Sequence, residues 1–331
     1  MRRAAIRTFW AMTVLLLARA ATANGAVVGL DLADWSARTS HNFVANPPKK
    51  DEIEAFRLKL FPGNQDRLAS YRFADLRDSG QLSLLMSTGR FGNFTSVIDK
   101  TPAGFEVTEF PSGFGGADVE DIGGNGKSVV MVNTDFTDYE GAMHCVATWP
   151  VIYAWTGSSY ANVSRNYLPY YRRKLESLKK QIAGDPSNRQ GKVDCLEAQA
   201  AKIERFLGDK TAGLNDAIRW SQSKDRYQRE FAAPILADIG TLDAMHHLRR
   251  LTRDGDKTNE VATEAALALA TKLNEVHTPE AKKELKAFPG DIAKSYLQNW
   301  ENWPQAPDVP EMHLIPFSEL AASSAKPTPA K

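Results

Sequence analysis

The chain has 331 residues, 43 % of them hydrophobic, with 41 Lys and Arg set against 40 Asp and Glu, for a formal charge of +1. So even a balance supplies no basic face of the kind that nucleic acid or an anionic membrane demands. The length suits two domains of ordinary size.

Arg2, Arg3 and Arg7 lead into an apolar run from Phe9 to Ala18, and Ala21-Thr22-Ala23 follows with small residues in an A-x-A pattern. Together these predict a cleavable signal peptide over residues 1–23, cut before Asn24. A membrane anchor would need roughly 20 apolar residues, and Arg19 interrupts this run well short of that. The paired arginines suggest a twin-arginine route, but the residues after them do not fit it. Removing 23 residues that hold four arginines and no acid leaves 308 residues and turns the charge from +1 to −3. No later stretch approaches membrane-spanning length, so the expected location is secreted or periplasmic, with no transmembrane segment in the mature chain.

Residues 24–165 read as a β-rich domain. Short runs of β-branched, aromatic and aliphatic residues at Leu82–Met86, Thr95–Asp99, Phe105–Phe110, Val129–Asn133 and Val151–Trp155 are separated by Gly, Asn and Ser turns. Within them lies a repeat. Phe73-Ala74-Asp75-Leu76, then Gly80 and Leu82–Met86, align with Val119-Glu120-Asp121-Ile122, then Gly126 and Ser128–Val132, at a constant offset of 46 residues. A period in the forties suits a four-stranded propeller blade.

The Asp-apolar-x-x-x-Gly-x-x-x-apolar-apolar element resembles the FG-GAP or VCBS repeat of integrin-like β-propellers, over roughly residues 65–160. That resemblance implies calcium loops, with Asp75, Arg77, Ser79 and Ser83 in the ligand places of the first and Asp121, Gly123, Asn125 and Val129 in those of the second. Calcium wants six or more oxygens, several from carboxylates. Each loop matches one carboxylate, so both are expected to be structural turns, with glycine at positive φ and aspartate capping backbone amides. Two repeats also fall short of the four to eight blades of a closed ring. A small two-blade-like sheet packed on the following helices is expected instead, with residues 27–65 able to hold at most a worn third blade.

Residues 166–300 change texture. Tyr171, Leu175, Leu178 and Ile182 recur at helical spacing, and Gly184-Asp185-Pro186-Ser187 ends that helix. Phe231, Ile235 and Ile239 form one apolar face; Leu242, Met245, Leu248 and Leu251 form the next; Val261, Ala265, Ala268 and Leu269 form a third. The stretch from Leu236 to Leu267 resembles a HEAT-type unit, which implies stacked helix pairs that present a surface to a protein partner. An ordinary helical bundle is the alternative. The fold class is therefore α+β: an antiparallel, propeller-blade-like β-repeat domain followed by an all-α domain. Pro304, Pro307, Pro310 and Pro316 lead us to expect residues 301–331 to be a disordered tail.

Cys145 and Cys195 are the two cysteines. In an oxidising compartment an even count points to one disulfide, with two separate buried thiols as the alternative. Several chemical motifs are incomplete. Gly123-Gly124-Asn125-Gly126-Lys127-Ser128 lacks the leading glycine of a phosphate loop and precedes a strand-like run. His246-His247 and His144-Cys145 come without metal-ligand spacing, and Gly157-Ser158-Ser159-Tyr160 lacks the second glycine of a nucleophile elbow. No catalytic, metal or cofactor residue is assigned. Asn93 and Asn162 begin glycosylation sequons.

Two functions remain. The favoured one is an exported, non-catalytic protein that binds another protein or a glycan and not nucleic acid. The other is a secreted glycosidase-type hydrolase using two carboxylates from Asp118, Glu120, Asp121, Asp135, Asp138 and Glu140. Convergence of these acids in one cleft would favour the hydrolase, and scatter over turns the binder. A single measurement checks both export and the bridge: the intact mass of secreted protein, alkylated under denaturing conditions. A chain starting at Asn24 with neither cysteine alkylated is expected. A species retaining Met1 would refute the cleavage, and two alkylated thiols would refute the bridge.

Overall fold

The computed structural model describes residues 48–89, 92, 94–110, 115–135, 147–184, 192–255, 259–286, 291–298, 300 and 310–316. The signal segment and the proposed cut at Asn24 lie outside the described residues, as does the sequon at Asn93. The fold is α+β, with antiparallel sheets in the N-terminal part and helices after them.

The first described element is a helix, α1 (Lys50–Leu60), in the stretch expected to hold at most a worn third blade. Asp51 and Glu52 occupy its first turn and Arg57 and Lys59 its last, matching the helix dipole. The Glu52 carboxylate accepts the Lys49 backbone N–H at 2.8 Å. Ile53, Phe56 and Leu60 make its buried stripe.

Strands β1 (Leu68–Ala74), β2 (Ser83–Thr88), β3 (Phe94–Lys100) and β4 (Gly104–Phe110) then form an antiparallel meander. The four strands β5 (Ala117–Glu120), β6 (Val129–Asp135), β7 (Thr148–Trp155) and β8 (Tyr160–Asn162) form a second one. The 46-residue repeat marks the β1–β2 and β5–β6 connections, and the two turns share one geometry. Asp75 accepts N–H bonds from Ser79 at 3.0 Å and Gly80 at 2.6 Å; Asp121 accepts from Asn125 at 3.1 Å and Gly126 at 2.7 Å. Gly80 and Gly126 both sit at positive φ, 76° and 81°, where a side chain would be strained. The aspartates therefore serve the backbone of their own turns.

Strand alternation splits each sheet between two partners. Leu84, Met86, Ile98, Phe105 and Val107 face α1, while Leu85, Val97 and Phe110 face the second sheet. There they meet Val130, Val132, Val151 and Tyr153. The opposite face of the second sheet, through Val129 and Ile152, packs on α2 (Leu168–Gly184) and α3 (Lys192–Leu207). On α2 Tyr171 and Leu178 are buried at the spacing expected, with Leu175 and Ile182 packed beside them.

Helices α4 (Leu214–Ser221), α5 (Arg226–Ile239), α6 (Leu242–Leu251), α7 (Glu260–Val276), α8 (Pro279–Lys286) and α9 (Asp291–Gln298) follow among the described residues. Phe231, Ile235 and Ile239 are buried as expected, and so are Val261, Ala265, Ala268 and Leu269. Leu242, read as part of a buried face, is instead 85 % exposed at the first turn of α6. Among the described residues no helix is long and apolar enough to cross a membrane.

The disordered tail requires correction. Residues 311–316, inside the region expected to be disordered, form β9 (Glu311–Pro316), which pairs antiparallel with β4 as the fifth strand of the first sheet. Proline bars a long helix but is compatible with an edge strand, and Pro316 ends β9 opposite Gly104. Gly104 is required there, because a Cβ would stand 2.2 Å from the Ile315 carbonyl oxygen. Gly104→Ala should therefore release β9 at a cost of about 1–3 kcal/mol. Hydrogen exchange checks this: amides of residues 312–315 should lose protection while β2 and β3 keep theirs. Unchanged protection of β9 would refute the contact.

Candidate functional site

A cleft of about 530 Å³ opens where the second sheet meets the helices, within the range of small-molecule sites. Trp149 on β7, Asn162 on β8 and Ser164 in the short 3₁₀ turn after it form one wall; Lys202, Arg205 and Phe206 on α3 form another. Asp238, Gly240 and Thr241, at the corner from α5 to α6, close it, and Lys210 stands at the rim. The corner is built locally. Gly240 takes φ 63°, donates to the Leu236 carbonyl and stops α5, after which the Thr241 hydroxyl accepts the Ala244 N–H to start α6.

Helical spacing places Lys202 and Arg205 on one face of α3, and both donate to the Asp238 carboxylate. Burial would raise the Asp238 carboxyl, but the charges of Lys202 and Arg205 outweigh it and hold the group below the ordinary carboxylate range. Arg205, only 9 % exposed, also donates to the Ala212 carbonyl at 2.7 Å. With Lys210, the cleft sets three cations against one carboxylate among the described residues. Its aromatic floor is already covered. Trp149 stacks on Tyr171 at 4.9 Å and carries the Lys202 ammonium 6.0 Å from its ring centre, and the Arg165 guanidinium lies 4.0 Å over Phe206.

The carboxylates considered for hydrolysis do not meet here. Asp118 pairs with Arg72 at 2.9 Å, Asp121 caps its turn, and Glu120 is exposed on β5. Asp135 ends β6, and Asp138 and Glu140 lie outside the described residues. Among the described residues no group of three or more His, Cys, Asp or Glu could hold a metal. The His246 and His247 rings meet edge to face, with centres 6.2 Å apart and planes at 72°. The Gly123–Ser128 stretch is a turn leading into β6, and Gly157–Ser159 makes the tight β7–β8 connection, where the Thr156 N–H donates to the Ser159 carbonyl. Cys195 is buried on α3 and is not a free thiol; Cys145 and His144 lie outside the described residues.

A second polar cluster is enclosed between the sheets. Asp99 on β3 accepts from Ser83 and, at 3.3 Å, from the Tyr160 hydroxyl, and pairs with Arg77 at 2.8 Å. Arg77 also reaches Glu106 at 2.7 Å and lies 3.8 Å over the Trp155 ring. Burial pushes the Asp99 carboxyl up despite these partners, and the Tyr160 phenol up as well. This cluster fastens the two sheets.

Sequence reasoning passed over Lys202, Arg205 and Asp238. The only available signal was the i, i+3 cation pair, which also describes an ordinary solvated helix face. No protein-family model, curated protein or solved structure matches the chain.

The Asp238 network has a definite pH signature. Its carboxyl is depressed in the folded state, so its contribution is present above the unfolded carboxyl pKa, about 3.9, and is lost as pH falls through the folded value. Asp238→Asn, which strands two partly buried cations, should cost about 2–4 kcal/mol at pH 7. The gap from wild type should close in acid. Denaturant unfolding at pH 7 and in steps below pH 4 measures it; a gap that does not shrink in acid would show that another interaction dominates.

Proposed function

We propose that this protein is an exported, non-catalytic binding protein in which two FG-GAP- or VCBS-like β-units are joined to a HEAT-like helical scaffold, and that a protein or glycan partner docks at their junction. The β-unit reading is supported by two four-stranded meanders whose Asp-capped turns repeat 46 residues apart. The helical reading rests on the α5–α6–α7 succession with its Gly240 corner and the Arg229–Asp254 pair at 2.8 Å. Cys195 lies near the same junction, and Cys145 is the other cysteine of the chain; a bridge between them would fix β-region against helices.

The observation that carries the proposal is the cleft itself, a concave polar site assembled from both regions. The scatter of Asp118, Glu120 and Asp121 over separate roles supports binding over hydrolysis. A glycan array probed with the chain from Asn24 onward, alongside assays for released reducing sugar, tests this. Binding to a subset of glycans without release is expected, and Asn162→Trp, which places a bulky ring at the exposed edge of the cleft, should abolish it. Glycan turnover would replace the binder by a hydrolase. Undiminished binding by Asn162→Trp would move the docking site elsewhere.

A further inference from the structure

We infer that the junction cleft selects a compact, hydroxyl-rich ligand bearing an oxyanion, a carboxylate or a phosphate, over a neutral sugar; this inference rests on the reading of the cleft as the binding site. The charge inventory comes first. Among the described residues, Lys202, Arg205 and Lys210 line the cleft with Asp238 as the one carboxylate, so these walls carry a positive excess. Gathered at one concave site, such an excess attracts an anion more strongly than the same charges spread over an open face.

Geometry points the same way. Asp238 takes one bond from Lys202 and one from Arg205, which fixes both cations before any ligand arrives. The Arg205 bonds to Asp238 and Ala212 use Nη2 and Nη1. A guanidinium has more N–H donors than two bonds consume, and their planar fork matches an oxyanion. Asp238 is thus a positioning residue, and Arg205 and Lys210 are the groups that would touch the ligand.

The aromatic residues argue against the neutral alternative. Neutral sugars and bases gain affinity by stacking on an open ring face. Here Tyr171 and Lys202 attend Trp149, and Arg165 covers Phe206. What the cleft offers besides charge is hydrogen bonding from Asn162, whose Oδ1 accepts the Ser164 N–H and whose NH2 can donate, and from Thr241, whose hydroxyl accepts the Ala244 N–H and can still donate, which suits hydroxyl groups.

Calorimetric titration of the mature chain with glucuronate, glucose 6-phosphate and glucose tests the inference. One-to-one binding of an anionic probe is expected, at least about ten-fold tighter than glucose and weakening with salt. The tighter of the two anions distinguishes a carboxylate from a phosphate site. Lys210→Glu, at the exposed rim, should weaken the anion about ten-fold or more without disturbing the fold. Arg205→Gln should do the same, and Lys210→Glu keeps the test valid if Arg205→Gln fails to fold. Equal affinity for glucose and glucuronate, no effect of Lys210→Glu, or no anion binding at millimolar concentrations would overturn the inference. Failure of the underlying reading looks different: anion binding that survives Asn162→Trp would place the site outside the cleft. Loss of all binding in Asn162→Trp with no preference for charge would keep the cleft and discard the anion.

Discussion

Ala200 and Ile203 on α3 pack with α2 against the four-stranded sheet, while Cys195 and Ala198 of the same helix pack into the core of α4–α8. The two hydrophobic cores on either side of α3 therefore share one rigid rod. Alanine at three of these inward positions, 198, 200 and 201, lets both neighbours approach closely. A tilt of α3 would open a void on one side and crowd the other, and both are costly in interiors packed as densely as proteins are. The face of α3 that carries Lys202, Arg205 and Phe206 is consequently held at a set distance from Trp149, and the cleft is a product of the packing that unites the two regions.

A comparable constraint holds the two sheets together. A carboxylate buried as deeply as Asp99 is unfavourable unless it is paired and hydrogen-bonded, and Ser83, Tyr160 and Arg77 together supply those partners. Arg77 stands two residues after the turn aspartate Asp75, where the second repeat has Gly123. Its side chain turns inward to Asp99, Glu106 and the Trp155 ring, so the first turn delivers a cation to the space between the sheets. Tyr160 and Trp155 belong to the second meander and Asp99 and Glu106 to the first. The repeats are alike in their backbone turns and unlike in this one side chain, which joins one to the other.

The sequence was legible wherever a signal was local. Five strands were visible because Leu82–Met86 and its counterparts are runs of β-branched and aliphatic residues between turn formers. The Asp-to-Gly turns were visible because one chemistry solves one backbone problem twice. Strand β8 has only three residues, and β1 mixes exposed Ala69 and Ser70 with half-buried aromatics, so neither carries a clean alternation. Strand β9 was hidden by its prolines, whose local meaning is satisfied equally by a tail and by an edge strand; only pairing with Gly104, more than 200 residues earlier, decides between them. Leu242 fitted the helical period but falls on the first turn of α6, which the α5 corner leaves facing outward. The cleft was invisible for the same reason as β9: Lys202 and Asp238 are 36 residues apart, and nothing near either one announces the other.

Stability alone does not account for the Lys202–Asp238–Arg205 network. Exchanging a buried set of charges for apolar residues of similar volume is often neutral or stabilising, whereas removing a single member is strongly destabilising. An apolar trio at these positions would eliminate the polar walls of the cleft. The charged trio instead keeps polar donors in a recess that Trp149 and Phe206 also line. It also ties Lys202, whose ammonium lies 6.0 Å from the Trp149 ring centre, and Arg205 to the same carboxylate. A single carboxylate against three cations is enough to order Lys202 and Arg205 and too little to neutralise the cleft, and that imbalance is what makes the junction a place for an incoming negative charge.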